Sequence, residues 1–199
     1  MKFFVNFLSV FRIFAAFLII PTLMYQWYTL TFVLFALASI SDFFDGYLAK
    51  KFNATSKLGG VMDHIGDKFL VVNTMVMLSI MMPVWFVFVP VIIMIARELY
   101  ISGLREFLGT QKIEMPVPKA RLSMGKIKTT LQMVSLCAFL LLFALTQYIS
   151  ADTITSVALI VMNVLSQVGI IGLWLSLVAS LWSATQYTFT FAEKYKKIK

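Results

Sequence analysis

Charge is scarce in this chain. Only 13% of its 199 residues are Asp, Glu, Lys or Arg, whereas 60% are hydrophobic. Soluble domains carry about twice that share of charge, and the mean hydropathy of +0.89 points the same way. Cysteine is scarcer still. The single Cys137 sits in an apolar run, excludes an intrachain disulfide and reads as a small buried hydrophobe. Internal repeats and low-complexity tracts are absent. The charge that does exist is lopsided, with 17 Lys and Arg against nine Asp and Glu, a formal +8. With no soluble basic module to hold nucleic acid, that excess suits anionic lipid headgroups and phosphorylated substrates.

What remains is apolar sequence in lengths that span a bilayer, about 20 residues each. Six helices are expected: about Asn6 to Tyr25, Tyr28 to Lys51, Leu58 to Met82, Val84 to Phe107, Leu122 to Gln147 and Thr153 to Tyr187. The fold class is therefore an all-α integral membrane protein of six transmembrane helices, with residues 1–199 as one domain. The first helix is expected to be a spanning helix rather than a cleaved leader, because Arg12 interrupts its apolar core and no small-residue cleavage site follows. Pro116 and Pro118 mark the polar loop between the fourth and fifth helices. The turns near 21–27, 82–85 and 148–153 contain no Lys or Arg. Lys50, Lys51, Lys57, Lys112, Lys119, Arg121, Lys126, Lys128 and the KYKKIK tail fall on the other side. By the positive-inside bias that side is cytoplasmic, and both termini lie there.

Four of the five aspartates fall between Ser41 and Lys68. Asp42 and Asp45 stand three apart, Asp63 and Asp67 four apart, so each pair shares a helix face. The polar turn residues between Lys51 and Lys57 let the second of these helices fold back on the first. Four carboxylates can then meet across one seam at the cytoplasmic end of the bundle. Packed carboxylates repel unless a cation joins them, and an all-oxygen set suits one or two Mg²⁺ or Mn²⁺ ions. Two such ions can clamp a diphosphate during displacement at phosphorus. Gly46 and Gly59 stand where a bulky ligand needs close backbone approach.

The pattern Asp42-x-x-Asp45-Gly46-x-x-Ala49-Lys50, eight residues, then Gly59-x-x-x-Asp63-x-x-x-Asp67 resembles the signature of the CDP-alcohol phosphotransferases. Lys50 stands where that family usually has Arg, and His64-Ile65-Gly66 where Pro-x-Ala or similar is commoner. Asn6-x-x-Ser9-x-x-Arg12 resembles the element that opens the family's first helix, which the resemblance places beside the nucleotide. The stretch from Ile95 to Leu108 and that from Gly125 to Leu136 look like the branch that makes phosphatidylglycerophosphate. The resemblance implies transfer of a phosphatidyl group from CDP-diacylglycerol to sn-glycerol 3-phosphate, releasing CMP. It also implies a homodimer in a bacterial inner membrane, with its site open to the cytoplasm.

On that reading Asp42, Asp45 and Asp63 ligate metal, and Asp67 ligates a second ion and takes the acceptor's proton. Asn6, Ser9, Gly46, Ala49, Lys50 and Gly59 join Asp42, Asp45 and Asp63 around the CDP moiety. Arg97 and Arg105, at i and i+8 on one face, are expected to hold the acceptor phosphate with Lys126 and Lys128. Glu98 and Glu106 each follow an arginine and are expected to ion-pair, while the only histidine, His64, is expected to hydrogen-bond a carboxylate. Three other readings stay open. They are another acceptor such as inositol phosphate or serine, a catalytically dead relative, and a cation transporter using its intramembrane carboxylates.

Overall fold

The computed structural model describes residues 2–51, 57–110, 124–149 and 156–196, with side chains described for 9–41, 60–62, 64–110, 124–149 and 156–196. Every described element is a helix: α1 (Lys2–Met24), α2 (Tyr28–Lys51), α3 (Lys57–Met81), α4 (Trp85–Thr110), α5 (Met124–Thr146) and α6 (Ser156–Lys196). The chain is thus an all-helical integral membrane protein. By length and composition α3, α4, α5 and α6 can each cross a bilayer. In α1 and α2 the described apolar stretches are shorter, Ser9–Met24 and Tyr28–Ser41.

Local chemistry sets the ends. α1 closes in a Schellman arrangement, with Trp27 N–H bonded to Thr22 O at 2.8 Å and Gln26 N–H to Leu23 O at 3.0 Å. That closure puts Gln26 in the left-handed region, at φ 61°. Its carbonyl is then taken by the Gln147 amide at 2.6 Å, while Gln147 Oε1 accepts from the Thr29 N–H at 3.1 Å. One side chain therefore ties the α1–α2 turn to the end of α5. Pro83 stops α3, and α4 begins two residues later. Hydroxyls inside the apolar helices bond back to carbonyls of their own turn, as Thr22 does to Leu18 O and Thr74 to Leu70 O.

α1 packs along α3, and α5 along α6, whose other face takes α4. Ala16, Ile19, Phe35, Leu70, Met94, Phe139 and Leu173 lie in one continuous core. Close approach of α5 and α6 depends on two glycines. A Cβ on Gly169 would stand 2.8 Å from the Phe139 ring, and one on Gly172 would stand 3.1 Å from Ser135 Cβ. Outside this core α6 presents Val164, Ile171, Leu175 and Val178, all exposed and apolar, as lipid-facing residues are. Tyr25, Trp27, Trp85 and Tyr148 are exposed around the turns that lack cations, the usual place for interfacial aromatics. At the opposite end α4 and α6 continue together, with Phe107 against Phe191 and Tyr195.

Candidate functional site

Three helices bring ionic side chains into membrane-grade sequence at one place. α3 presents His64, Asp67, Lys68, Val71 and Met75 at helical spacing, α4 adds Met94 and Glu98, and α5 adds Lys128, Thr129 and Gln132. Together they line a cavity of ≈150 Å³. Lys68, Glu98 and Lys128 make its ionic part, whereas Met75, Met94 and Gln132 stand a turn or two further along their helices from that ionic level.

Asp67 is fixed from outside the cavity. Arg12 on α1 is fully buried, and its Nη1 donates to Asp67 Oδ1 at 2.6 Å. α1 crosses α3 beside the residue before Asp67, which is a glycine. A Cβ on Gly66 would meet Ile13, Ser9 O and Arg12 Cβ at 3.4 to 3.6 Å. Ser9 is buried in α1 at that crossing.

Glu98 gathers the cations. Its Oε2 accepts from Lys128 Nζ at 2.6 Å and from Arg97 Nη1 at 3.1 Å, and its Oε1 lies 3.6 Å from Lys68 Nζ. Lys68 also donates to Ser102 Oγ at 2.8 Å. Arg97 is buried and turned to α6, where Nε donates to Ser180 O and Nη2 to Ser183 Oγ. Arg105 lies on the same side of α4, exposed, over the Tyr187 ring and bonded to its hydroxyl. Of the four cations expected around an acceptor phosphate, Lys128 lines the cavity. Arg97 reaches it through Glu98, and Lys126 and Arg105 are exposed outside it. Glu98 pairs with Arg97 as expected, but it also takes Lys128, expected on the acceptor phosphate, and Lys68, which the sequence reading does not single out. Its signal in the sequence is its place beside Asp67. His64 lines the cavity.

The side chains of Asn6, Asp42, Asp45, Ala49, Lys50 and Asp63, with Gly46 and Gly59, lie outside those described. Their backbones run in α1, near the end of α2 and at the start of α3. No group of three potential metal ligands occurs among the described residues. The donor chemistry nonetheless suits a hard cation, since Asp67 is a carboxylate and the three other candidates are aspartates on the adjoining helix ends.

Buried ion pairs, a cavity and lipid-facing helices define a membrane-embedded transferase once relatives are considered. The family model for CDP-alcohol phosphatidyltransferases matches residues 3–182, and the chain belongs to that family. A Rickettsia felis protein named CDP-diacylglycerol--glycerol-3-phosphate 3-phosphatidyltransferase is 38% identical over 143 residues, covering 68% of this chain and 74% of its own. A protein of the same name from Cereibacter sphaeroides is 43% identical over 119 residues, 58% of this chain and half of its own. Another, from Blochmanniella floridana, is 30% identical over 158 residues, covering 79% and 73%.

Proposed function

We propose that the protein transfers the phosphatidyl group of CDP-diacylglycerol to sn-glycerol 3-phosphate, giving phosphatidylglycerophosphate and CMP. One observation carries the reading: Asp67, Lys68, Glu98 and Lys128 line a single cavity. A base for a hydroxyl and cations for a phosphate thus stand within reach of one small molecule. The relatives' shared name supports the same donor and acceptor.

Asp67 takes the proton from the acceptor's terminal hydroxyl, whose oxygen attacks the phosphorus that bears the diacylglycerol. The bond from that phosphorus to CMP breaks, and CMP leaves. Arg12 keeps the Asp67 carboxylate facing the cavity. Lys68 and Lys128, ordered by Glu98, bind the acceptor phosphate, with Arg97 behind them. Arg105 and Lys126 supply positive potential at the mouth. Asn6, Ser9, Asp42, Asp45, Gly46, Ala49, Lys50, Gly59 and Asp63 are assigned to the CDP moiety. Asp42, Asp45, Asp63 and Asp67 would hold one or two Mg²⁺ or Mn²⁺ ions, which when bound neutralise charge on the diphosphate. The diacyl tails stay in lipid. The distribution of cations and aromatics supports a cavity that faces the cytoplasm, and the bacterial relatives support an inner membrane. A homodimer follows from the family resemblance.

Purified protein in detergent with CDP-diacylglycerol tests this. Release of CMP should require Mg²⁺ or Mn²⁺ together with glycerol 3-phosphate, and stop on chelation. Release indifferent to glycerol 3-phosphate but driven by inositol phosphate or serine would move the acceptor. No release with any acceptor would remove the transferase reading for this chain.

A further inference from the structure

The inner part of the cavity holds a polar group that the chemistry above leaves unused. Gln132 is 3% exposed, yet it lines the cavity. Its Nε2 donates to Met75 Sδ at 2.9 Å and stands 3.9 Å from Met94 Sδ. Met94 Sδ already accepts from Ser176 Oγ at 3.2 Å. A primary amide has two strong N–H donors, whereas a thioether is a weak acceptor. A buried amide left with sulfur forgoes most of a hydrogen bond's worth, and methionine side chains yield space readily. The arrangement suits an amide waiting for a better oxygen.

Placement says which oxygen. Gln132 is one turn beyond Lys128 on α5, about 6 Å along the axis. Side chains of α3 and α5 lean toward their N-termini, so Gln132 and Met75 both lean toward the ionic level. With the acceptor's phosphate on Lys68 and Lys128 and its terminal hydroxyl on Asp67, Gln132 faces the middle of a three-carbon chain.

We propose that Gln132 determines acceptor specificity by hydrogen-bonding the secondary hydroxyl of the polyol phosphate, exchanging its thioether partner for that hydroxyl. The inference rests on the transferase reading above. Phosphate, terminal hydroxyl and secondary hydroxyl then make three points of attachment, enough to separate sn-glycerol 3-phosphate from its enantiomer.

The test compares kcat/KM for three acceptors: sn-glycerol 3-phosphate, sn-glycerol 1-phosphate and 1,3-propanediol phosphate, which lacks the secondary hydroxyl. The wild-type protein should favour the first over each of the others by about 10- to 100-fold, the loss expected when one buried neutral donor goes unpaired. Gln132→Leu and Gln132→Met should lose most of that preference, through slower use of sn-glycerol 3-phosphate. Both should still use propanediol phosphate within about threefold of wild type, which also shows that they fold. Retention of the wild-type ratios in either variant would overturn the proposal. So would equal loss on all three acceptors in a monodisperse variant, because Gln132 would then be structural. A wild-type protein inactive with every acceptor would instead remove the transferase reading on which the proposal rests.

Discussion

Arg12 Nη1 lies 2.6 Å from Asp67 Oδ1, joining the fully buried arginine of α1 to the carboxylate that faces the cavity from α3. The pair sets the aim of Asp67 and holds two helices in register. Arg12→Ala strands a partly buried carboxylate and leaves a void, so it should destabilise the protein by about 3 kcal/mol. Arg12→Lys keeps the charge without the planar fork and should cost less stability, yet lower turnover about tenfold. Thermal unfolding in detergent, set beside CMP release, separates the two effects.

Asp67→Asn keeps shape and removes the proton acceptor. Turnover should fall by about 10³-fold, within the range that general-base removal gives. CDP-diacylglycerol should still protect the variant against heat, which a collapsed site would not allow.

Lys128 bonds Glu98 at 2.6 Å on the cavity wall. Lys128→Gln should raise the KM for glycerol 3-phosphate at least tenfold, equivalent to about 1.4 kcal/mol, with kcat less affected. Arg97→Ala should raise that KM and also lower the unfolding temperature, because Arg97 holds Ser180 and Ser183 of α6. Arg105→Gln, exposed on Tyr187, should change KM by less than about threefold. Initial-rate kinetics over acceptor concentration would rank the three.

Two glycines predict opposite signs. A Cβ on Gly66 meets α1 at ordinary contact distance, so Gly66→Ala should stabilise by up to about 1 kcal/mol through helix propensity. Gly169→Ala puts a methyl 2.8 to 3.0 Å from three atoms of the buried Phe139 ring and should cost about 1–3 kcal/mol. Denaturation midpoints of the two variants should move apart.

Much of this was legible in the sequence, and the reasons are local. Apolar runs bounded by Pro83 and by polar turns give helix positions within a few residues, because bilayer length and backbone satisfaction leave few other solutions. α6 ran past its expected end near Tyr187 to Lys196 because no proline or glycine stops it there. The spacing of Arg97 and Arg105 does put both on one side of α4, but which neighbour covers that side is a matter of packing. It is α6 that receives them. Glu98, about 100° further round, turns into the cavity with Met94, one turn before it. The Arg12–Asp67 pair spans 55 positions, and no periodicity within either helix announces it. Gly66 departs from the family's commoner filling and lies where α1 crosses α3, but a Cβ there would make only ordinary contacts, so packing does not require the glycine.

The ionic groups around Glu98 do not balance. Among the described residues Lys68, Arg97 and Lys128 are three cations that converge on this one carboxylate. Three minus one leaves a surplus of two positive charges in these pairs, within helices whose surroundings are hydrocarbon. Uncompensated charge is costly there. A phosphate dianion carries the missing two, so a bound acceptor would bring this cluster to electroneutrality. The substrate would then serve as a counter-ion as well as a reactant, and the cluster would relax most fully when the acceptor is in place.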